Sequence, residues 1–342
     1  MTLKELADRL GLSPTTVSRA LNGYPEVNAE TRARIEIAAR DYGYRANTMA
    51  RKLATGRSMA IGHVIPLSNH QMINPIFAEF MAGASEIYSS EGYETLLAAV
   101  PAANEVQTYR ELARRRSVDG LIVHAPRLND PRVDLLRELE LPFVVHGRSV
   151  DIEDRPVFLD TNNRRSFEQA TTYLIELGHT RFALLNGMET ISFARRRRRG
   201  FEQALQNNGL RSDASRMVDM EMTETNAYDV TMKWLNEPKP PTAILTSSTI
   251  SALGVARAIR DAGLQIGDDV SLITHDDDLS FMRNVGDPPP FTALQSPIRD
   301  AGAKCARMLI DHIAGKKVSS EIWKCEFIEG RSTGPAPKET PA

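Results

Sequence analysis

The sequence predicts a small all-α head followed by an α/β body of two doubly wound, parallel-sheet lobes. Three observations carry that prediction. Residues 1–46 hold three short amphipathic helical stretches, each with its own start and stop signals. From Ser58 onward, continuous Val/Ile/Leu runs alternate with amphipathic helical stretches, the pattern of strands covered on both faces. That alternation comes in two successive sets, which suggests two similar lobes with a cleft between them. At 342 residues there is room for two or three domains and a full-sized core.

In the head, LKELADRL places Leu3, Leu6, Ala7 and Leu10 at i, i+3, i+4 and i+7, and Gly11 breaks the run. Ser13 then offers an N-cap oxygen, with Pro14 at the first helical position where its missing N–H costs nothing. Advancing by 100° per residue puts Val17, Ala20 and Leu21 on one arc. Thr15, Ser18, Arg19 and Asn22 fall on the opposite arc. Two short helices joined by a glycine-containing turn make a helix-turn-helix, and the outward residues are types that read base edges and phosphates in a major groove. The alternative is an ordinary helical hairpin with a polar face. Asn28 caps a third helix with Glu30 in its first turn, and Ile35, Ala38, Ala39 and Tyr42 form its apolar stripe before Gly43.

Charge agrees with this division. Residues 1–60 carry ten Lys/Arg against six Asp/Glu, and the remainder carries 32 against 38. A mildly basic head on an acidic body points to a polyanion met by the head only. Between them, residues 47–57 read as a hinge helix and linker. Met49, Ala50 and Leu53 are flanked by Arg45, Arg51, Lys52 and Arg57, with Gly56 as the stop. So short a helix does not persist alone in water. It needs a second copy, DNA, or both; otherwise the segment is a solvated linker.

The body, 58–333, begins with the strand MAIGHVI and a helix from Pro75 to Glu91. TLLAAV, a helix through RELARRR, GLIVHA, a helix in DLLREL, and FVVHG follow. After VFLD come helix 164–177, FALLNG, helices 193–208 and 226–236, TAILTS, helix 250–262, VSLIT, FTAL and a last helix 298–314. The expected lobes are 58–160 with 292–320, and 161–291 with 321–333. The Pro-rich tail 334–342 is expected to be disordered. Cys305 and Cys325 are too few for a disulfide framework and are expected reduced, in a cytoplasmic protein. No apolar run approaches a membrane span, and no signal-peptide h-region opens the chain. GxGxxG, P-loop, HExxH and GxSxG signatures are absent, so neither an enzyme nor a cofactor is expected.

The chain resembles the LacI/GalR family of bacterial transcription regulators along nearly its whole length. The residues that carry the resemblance are TVSRALN (Thr16–Asn22), VNAETR (Val27–Arg32), Tyr44–Asn47 with Ala50 and Leu53, and Ile61-Gly62. Asn74–Phe77, LGHTRFALLNG (Leu177–Gly187), and Arg197 with Gly200-Phe201 complete it. PFVVHGRS (Pro142–Ser149) resembles repressors of rhizobial α-glucoside uptake operons.

The resemblance implies a periplasmic-binding-protein-like body and a homodimer on a pseudo-palindromic double-stranded DNA operator, with a small sugar as effector and no membrane role. Arg19 becomes the guanine-reading position, with Pro14 and Thr15 as variable reading positions. Ser13, Thr16, Ser18, Asn22, Asn28, Tyr44 and Asn47 join them in the implied DNA-binding set, several as phosphate contacts. Ala50 and Leu53 belong to paired hinge helices, Leu53 as the apolar wedge of a minor-groove kink.

For the ligand, helical phase singles out Arg197 from the run Arg195–Arg199. It lies four after Phe193 and four before Phe201, on the apolar side, where a charge needs a partner. The other arginines of the run are mostly read as a solvated face. The resemblance places Asp276 on sugar hydroxyls, although the family's Gly-aromatic-Asp-Asp reads Thr274-His275-Asp276-Asp277 here. Its Ala-Asn-Asp reads Ser247-Ser248-Thr249, which leaves Ser248 as a shorter hydrogen-bonding group. A metal at His275–Asp278 is the weaker reading of that cluster, and none is expected. His146 and Arg148 after FVV, and Asn74 and Phe77 at a helix start, complete the ligand candidates. Asp160 is read as structural.

Overall fold

The computed structural model describes residues 1–21, 24–44, 56–67, 75–149 and 156–338. The chain divides into two units, Met1–Met59 and Ala60–Ala342. In the first, α1 (Leu3–Leu10), α2 (Pro14–Leu21) and α3 (Ala29–Asp41) form the head. A capping box opens α1: Thr2 Oγ1 accepts the Glu5 N–H at 3.2 Å, and the Glu5 carboxylate accepts the Thr2 N–H at 2.9 Å. Ser13 Oγ accepts the Thr16 N–H at 3.1 Å and Asn28 Oδ1 accepts the Thr31 N–H at 2.7 Å, so both expected caps are present. Leu6, Ala7, Val17, Ala20, Val27, Ile35, Ala38 and Ala39 close the core. Tyr42 departs from expectation. It is 47% exposed, with the Arg9 guanidinium 4.7 Å from its ring centroid. Ala38 and Ala39 already fill the apolar face, and the chain turns away at Gly43.

The second unit contains two sheets. The first runs β2 (Glu94–Pro101), β1 (Ala60–Leu67), β3 (Gly120–His124), β4 (Phe143–His146), β5 (Phe158–Thr161), β11 (Glu321–Trp323), with its strands paired in parallel. The second runs β7 (Met217–Asp219), β6 (Phe182–Asn186), β8 (Ala243–Thr246), β9 (Ser271–Asp276), β10 (Thr292–Gln295), closed by the antiparallel edge strand β12 (Glu326–Ile328). Helices α4 (Pro75–Ser90), α5 (Glu105–Arg114), α6 (Pro131–Glu138) and α11 (Ile298–Ile313) belong to the first lobe. Helices α7 (Asn163–Glu176), α8 (Ser192–Asn207), α9 (Glu224–Leu235) and α10 (Thr249–Asp261) belong to the second. No helix of the described residues is long and apolar enough to cross a membrane.

Two expectations need correction here. Helix α11 packs in the first lobe as expected, but strand 292–295 joins the second sheet beside β9, and 321–323 joins the first beside β5. The late exchanges between lobes therefore fall at 296–297 and 324–325. Leu294 is apolar core of the second lobe, which holds that strand there. The second correction concerns the tail. The Ala336 N–H donates to the Leu177 carbonyl at 2.8 Å, and the Gly334 N–H to Ser271 Oγ at 3.1 Å. The Gly334 carbonyl sits 3.1 Å from His179 Nε2, whose Nδ1 is 2.9 Å from Thr242 Oγ1. Residues 334–336 are thus tied to the body, because they satisfy polar groups at the end of α7 and the start of β9.

Candidate functional site

On the head, the exposed side of α2 carries Ser13, Pro14, Thr15 and Arg19, with Thr16 and Ser18 half-buried at its margin. Ser13 Oγ also lies 2.8 Å from Thr16 Oγ1, so both hydroxyls help fix the start of the helix. Not every basic group of the head is turned outward to a polyanion. Arg32 donates to the Tyr24 carbonyl at 2.7 Å and Arg34 to the Leu10 carbonyl at 2.7 Å, tying the loops to α3. Asn28 is exposed and engaged as the cap of α3, and Tyr44 is half-buried. Asn22, Asn47, Ala50 and Leu53, and with them most of the expected hinge, lie outside the described residues.

In the body, the candidates gather at the carboxyl ends of the strands, where open α/β sheets present their ligand crevice. Arg197 is buried at 6% exposure. Its Nε donates to Asn163 Oδ1 at 2.7 Å and its Nη1 to the Ser247 carbonyl at 2.7 Å. The rings of Phe193 and Phe167 lie 4.7 and 5.2 Å from its guanidinium carbon. Burial lowers its pKa to about 10, still well above neutrality, so it stays a cation. Glycine at 200 allows this packing, since a side chain there would overlap the Arg164 carbonyl of α7.

Around Arg197 the second lobe is a connected polar floor. Ser247 Oγ donates to Asn186 Oδ1 at 2.7 Å, and Asn186 Nδ2 to the Ala194 carbonyl at 2.8 Å. Asp276, fully buried, accepts from Thr249 Oγ1 at 3.2 Å and from the Asp278 N–H at 3.0 Å. Burial raises its pKa, with the backbone hydrogen bond from Asp278 opposing. Ser248 is the N-cap of α10, its hydroxyl accepting the Ser251 N–H at 3.2 Å.

In the first lobe, His146 and Phe77 fall within an imidazole–aromatic cluster. The His146 ring centroid is 4.6 Å from that of Phe80, and Phe77 meets His124 edge-on at 5.3 Å. His124 Nε2 lies 2.9 Å from His63 Nδ1. Burial lowers the pKa of His146 to about 4, with Asp277 opposing, and that of His63 to about 3. These imidazoles are neutral at pH 7. Asn74 lies outside the described residues.

Arg148 takes part in a contact between the lobes. Its Nε lies 2.8 Å from Asp160 Oδ2, which Arg196 Nη1 of α8 approaches at 3.2 Å. Arg196 Nη2 also donates to the Arg148 carbonyl at 2.6 Å. Arg196 corrects the solvated-face reading of its run: it is 7% exposed and paired, whereas Arg195 and Arg199 are exposed. The spacing Ser192–Arg196–Gly200, a row of small residues flanking it on one helical face, was the available signal. Asn163, Asn186, Ser247, His63 and His124 also escaped the sequence reading, because their partners lie far along the chain. Among the described residues no group of His, Cys, Asp and Glu side chains could hold a metal ion.

Comparison with known proteins meets this geometry from both ends. The family described as "Bacterial regulatory proteins, lacI family" matches residues 2–47, and "Periplasmic binding protein-like domain" matches 171–333. A helix-turn-helix head and a periplasmic-binding-like body define a transcription regulator that binds DNA. The chain belongs to the lacI family, and as such is a DNA-binding transcriptional repressor.

It is 45% identical over 343 residues to the HTH-type transcriptional regulator AglR of Rhizobium meliloti (strain 1021), covering 100% of this chain and 96% of that one. It is 36% identical over 278 residues to RafR of Escherichia coli, covering 81% and 82%. Among solved structures, the lac repressor dimer bound to operator and the anti-inducer ONPF matches with TM-score 0.78 at 25% identity, covering 98% of this chain and 99% of that one. The complex of transcriptional regulator CelR with cellobiose matches with TM-score 0.71 at 25% identity, covering 97% and 99%.

Proposed function

We propose that this repressor controls a carbohydrate-utilisation operon as a homodimer on a pseudo-palindromic operator, and that a small neutral sugar bound between the lobes sets its operator affinity. The observation that carries the reading is Arg197. It is a buried cation held at two of its nitrogens, while Nη2 has no hydrogen bond to protein among the described residues. A planar donor fixed in this way suits vicinal hydroxyls, with Asp276 as the facing acceptor and Phe77 as an apolar wall. Arg148, His146 and Ser248 complete the proposed ligand set, with Asn74 added by the resemblance. An α-glucoside such as sucrose, trehalose or maltose is favoured by PFVVHGRS. The 45% identity to a rhizobial regulator supports it, and the likeness to a complex with cellobiose, a β-linked disaccharide, supports only a ligand of disaccharide size.

A charge-assisted hydrogen bond contributes about 1.5–3 kcal/mol, so Arg197→Ala weakens sugar binding at least about tenfold. The checks are calorimetry against these disaccharides and operator titration with and without sugar. If the sugar is an inducer, the variant stays on the operator at sugar levels that release the wild type. If it is a corepressor, the variant fails to tighten. An identical sugar response in both proteins overturns the role of Arg197, and tight nucleoside binding without sugar binding overturns the ligand class.

On the head, Arg19 is the proposed base reader, with Pro14 and Thr15 beside it and Ser13, Thr16, Ser18, Asn22, Asn28 and Tyr44 on the phosphates. Asn47, Ala50 and Leu53 keep the hinge role that the resemblance gives them. Arg19→Ala is expected to remove about 1–3 kcal/mol of discrimination at one base position per half-site. Equal weakening on specific and scrambled DNA would instead make Arg19 a phosphate clamp.

A further inference from the structure

The two free thiols sit in opposite surroundings. Cys305 is fully buried in α11, and burial pushes its pKa far up. Cys325 is half-buried, at the point where the chain leaves β11 of the first sheet to enter β12 of the second. Its Sγ lies 3.9 Å from His275 Nε2. His275 is 3% exposed, and its Nδ1 lies 3.5 Å from Asp277 Oδ1 without a well-formed hydrogen bond. A buried, incompletely satisfied imidazole thus directs its other nitrogen at the sulfur, with a carboxylate behind it.

The ionisable and polar groups facing this pair come from three elements: His275 and Asp277 at the end of β9, Arg197 of α8, and Ser166 of α7. Burial raises the Cys325 pKa, but the hydrogen bond and charge of His275, together with Ser166 and Arg197, bring it below the ordinary thiol value. Burial and Arg197 lower the pKa of His275, yet Asp277 and Cys325 bring it above the ordinary value. Displacements in these opposite directions favour transfer of the thiol proton to the imidazole.

We propose that Cys325 is a modification site at a crossover between the lobes, a thiolate prepared by His275 and Asp277 that small hydroperoxides oxidise to a sulfenic acid. The thiolate sulfur attacks one oxygen of hydrogen peroxide. The S–O bond forms as the O–O bond breaks, sulfur is oxidised by two electrons and the peroxide is reduced. The imidazolium of His275 gives its Nε2 proton to the departing hydroxide, which leaves as water. No second thiol stands ready to resolve the product as a disulfide, since Cys305 is enclosed in its helix. The site stands on its own geometry, whatever ligand the lobes hold.

The test uses the full chain with iodoacetamide and with hydrogen peroxide plus dimedone, reading each cysteine peptide by mass spectrometry. At pH 7, Cys325 is expected to alkylate at least about tenfold faster than Cys305, with a rate midpoint below the ordinary thiol value of about 8.5. A dimedone adduct is expected at Cys325 and not at Cys305. Asp277→Asn or His275→Asn moves the midpoint of Cys325 upward; if the histidine variant fails to fold, the aspartate variant and the wild-type profile decide. A wild-type midpoint at or above about 8.5, or no dimedone adduct at Cys325, makes this a packing cysteine and overturns the proposal.

Discussion

In the first lobe, β3 and β4 end on His124 and His146, and these rings pack with His63, Phe77 and Phe80. In the second, β6 and β9 end on Asn186 and Asp276, with Ser247 after β8 and Arg197 beside them, all engaged in directed hydrogen bonds. The two lobes share a parallel winding and open at the same ends of their strands, but the first gathers aromatic rings and neutral imidazoles around β3 and β4, while the second gathers a hydrogen-bonded cation and carboxylate. The fold fixes where a crevice lies, while the residues placed there fix its chemistry. One wall suits a flat apolar face, and the other suits hydroxyl groups.

The contact that joins the two walls is the first place to break this contrast. Asp160 is 4% exposed between Arg148 of its own lobe and Arg196 of the second. Removing the carboxylate leaves the buried Arg196 and the half-buried Arg148 without their counter-ion. Asp160→Ala is expected to lower the stability of the body by about 3–5 kcal/mol in urea denaturation. A loss within the range of surface substitutions would show that the arginines re-solvate and that the pairing is dispensable.

Acid sharpens the same contrast, because it acts first on the histidine wall. Burial depresses the pKa of His146 to about 4 in the folded state, while the unfolded chain titrates near 6.5. The unfolded state therefore binds more protons as pH falls below 6.5, and stability drops until pH reaches about 4. His146 alone accounts for about 2 kcal/mol between pH 8 and pH 5. His146→Gln is expected to flatten the stability profile in that window. An unchanged slope would mean that His146 has the same pKa in the folded and unfolded chains.

The smallest expected effect tests the aromatic character of the first wall. Phe77 meets the rings of His63 and His124 edge-on. Phe77→Leu keeps the wall apolar but removes the ring contacts, at a cost of about 0.5–1.5 kcal/mol in thermal unfolding. The same variant should weaken sugar binding less than Arg197→Ala does. A larger loss of affinity at Phe77 would mean that stacking, not hydrogen bonding, dominates recognition.

Features that act over a turn of chain were legible in the residue order alone. Ser13 and Asn28 cap their helices as read, because an N-cap oxygen needs only the amide three residues on. The inward aim of Arg197 followed from its phase between Phe193 and Phe201. Most strand runs from AIGHVI to FTAL were legible because burial on both faces leaves no polar alternation; TLLAAV is the exception, an edge strand with Leu97 46% exposed. Tyr42 shows the limit even at short range: its phase was apolar, but the small core was already full.

Which distant groups meet is set by the folded chain as a whole. Strand 292–295 could have completed either sheet, and so could 321–323, since both are short and their partners lie far away in sequence. Arg196 differs from Arg197 by a single step along the helix, and its burial depends on Asp160, 36 residues away. Cys325 meets His275 across 50 residues, and the Gly334 carbonyl meets His179 across 155. Caps and periodicities are written within a few residues, whereas ion pairs, strand order and polar clusters depend on how the winding brings remote segments together.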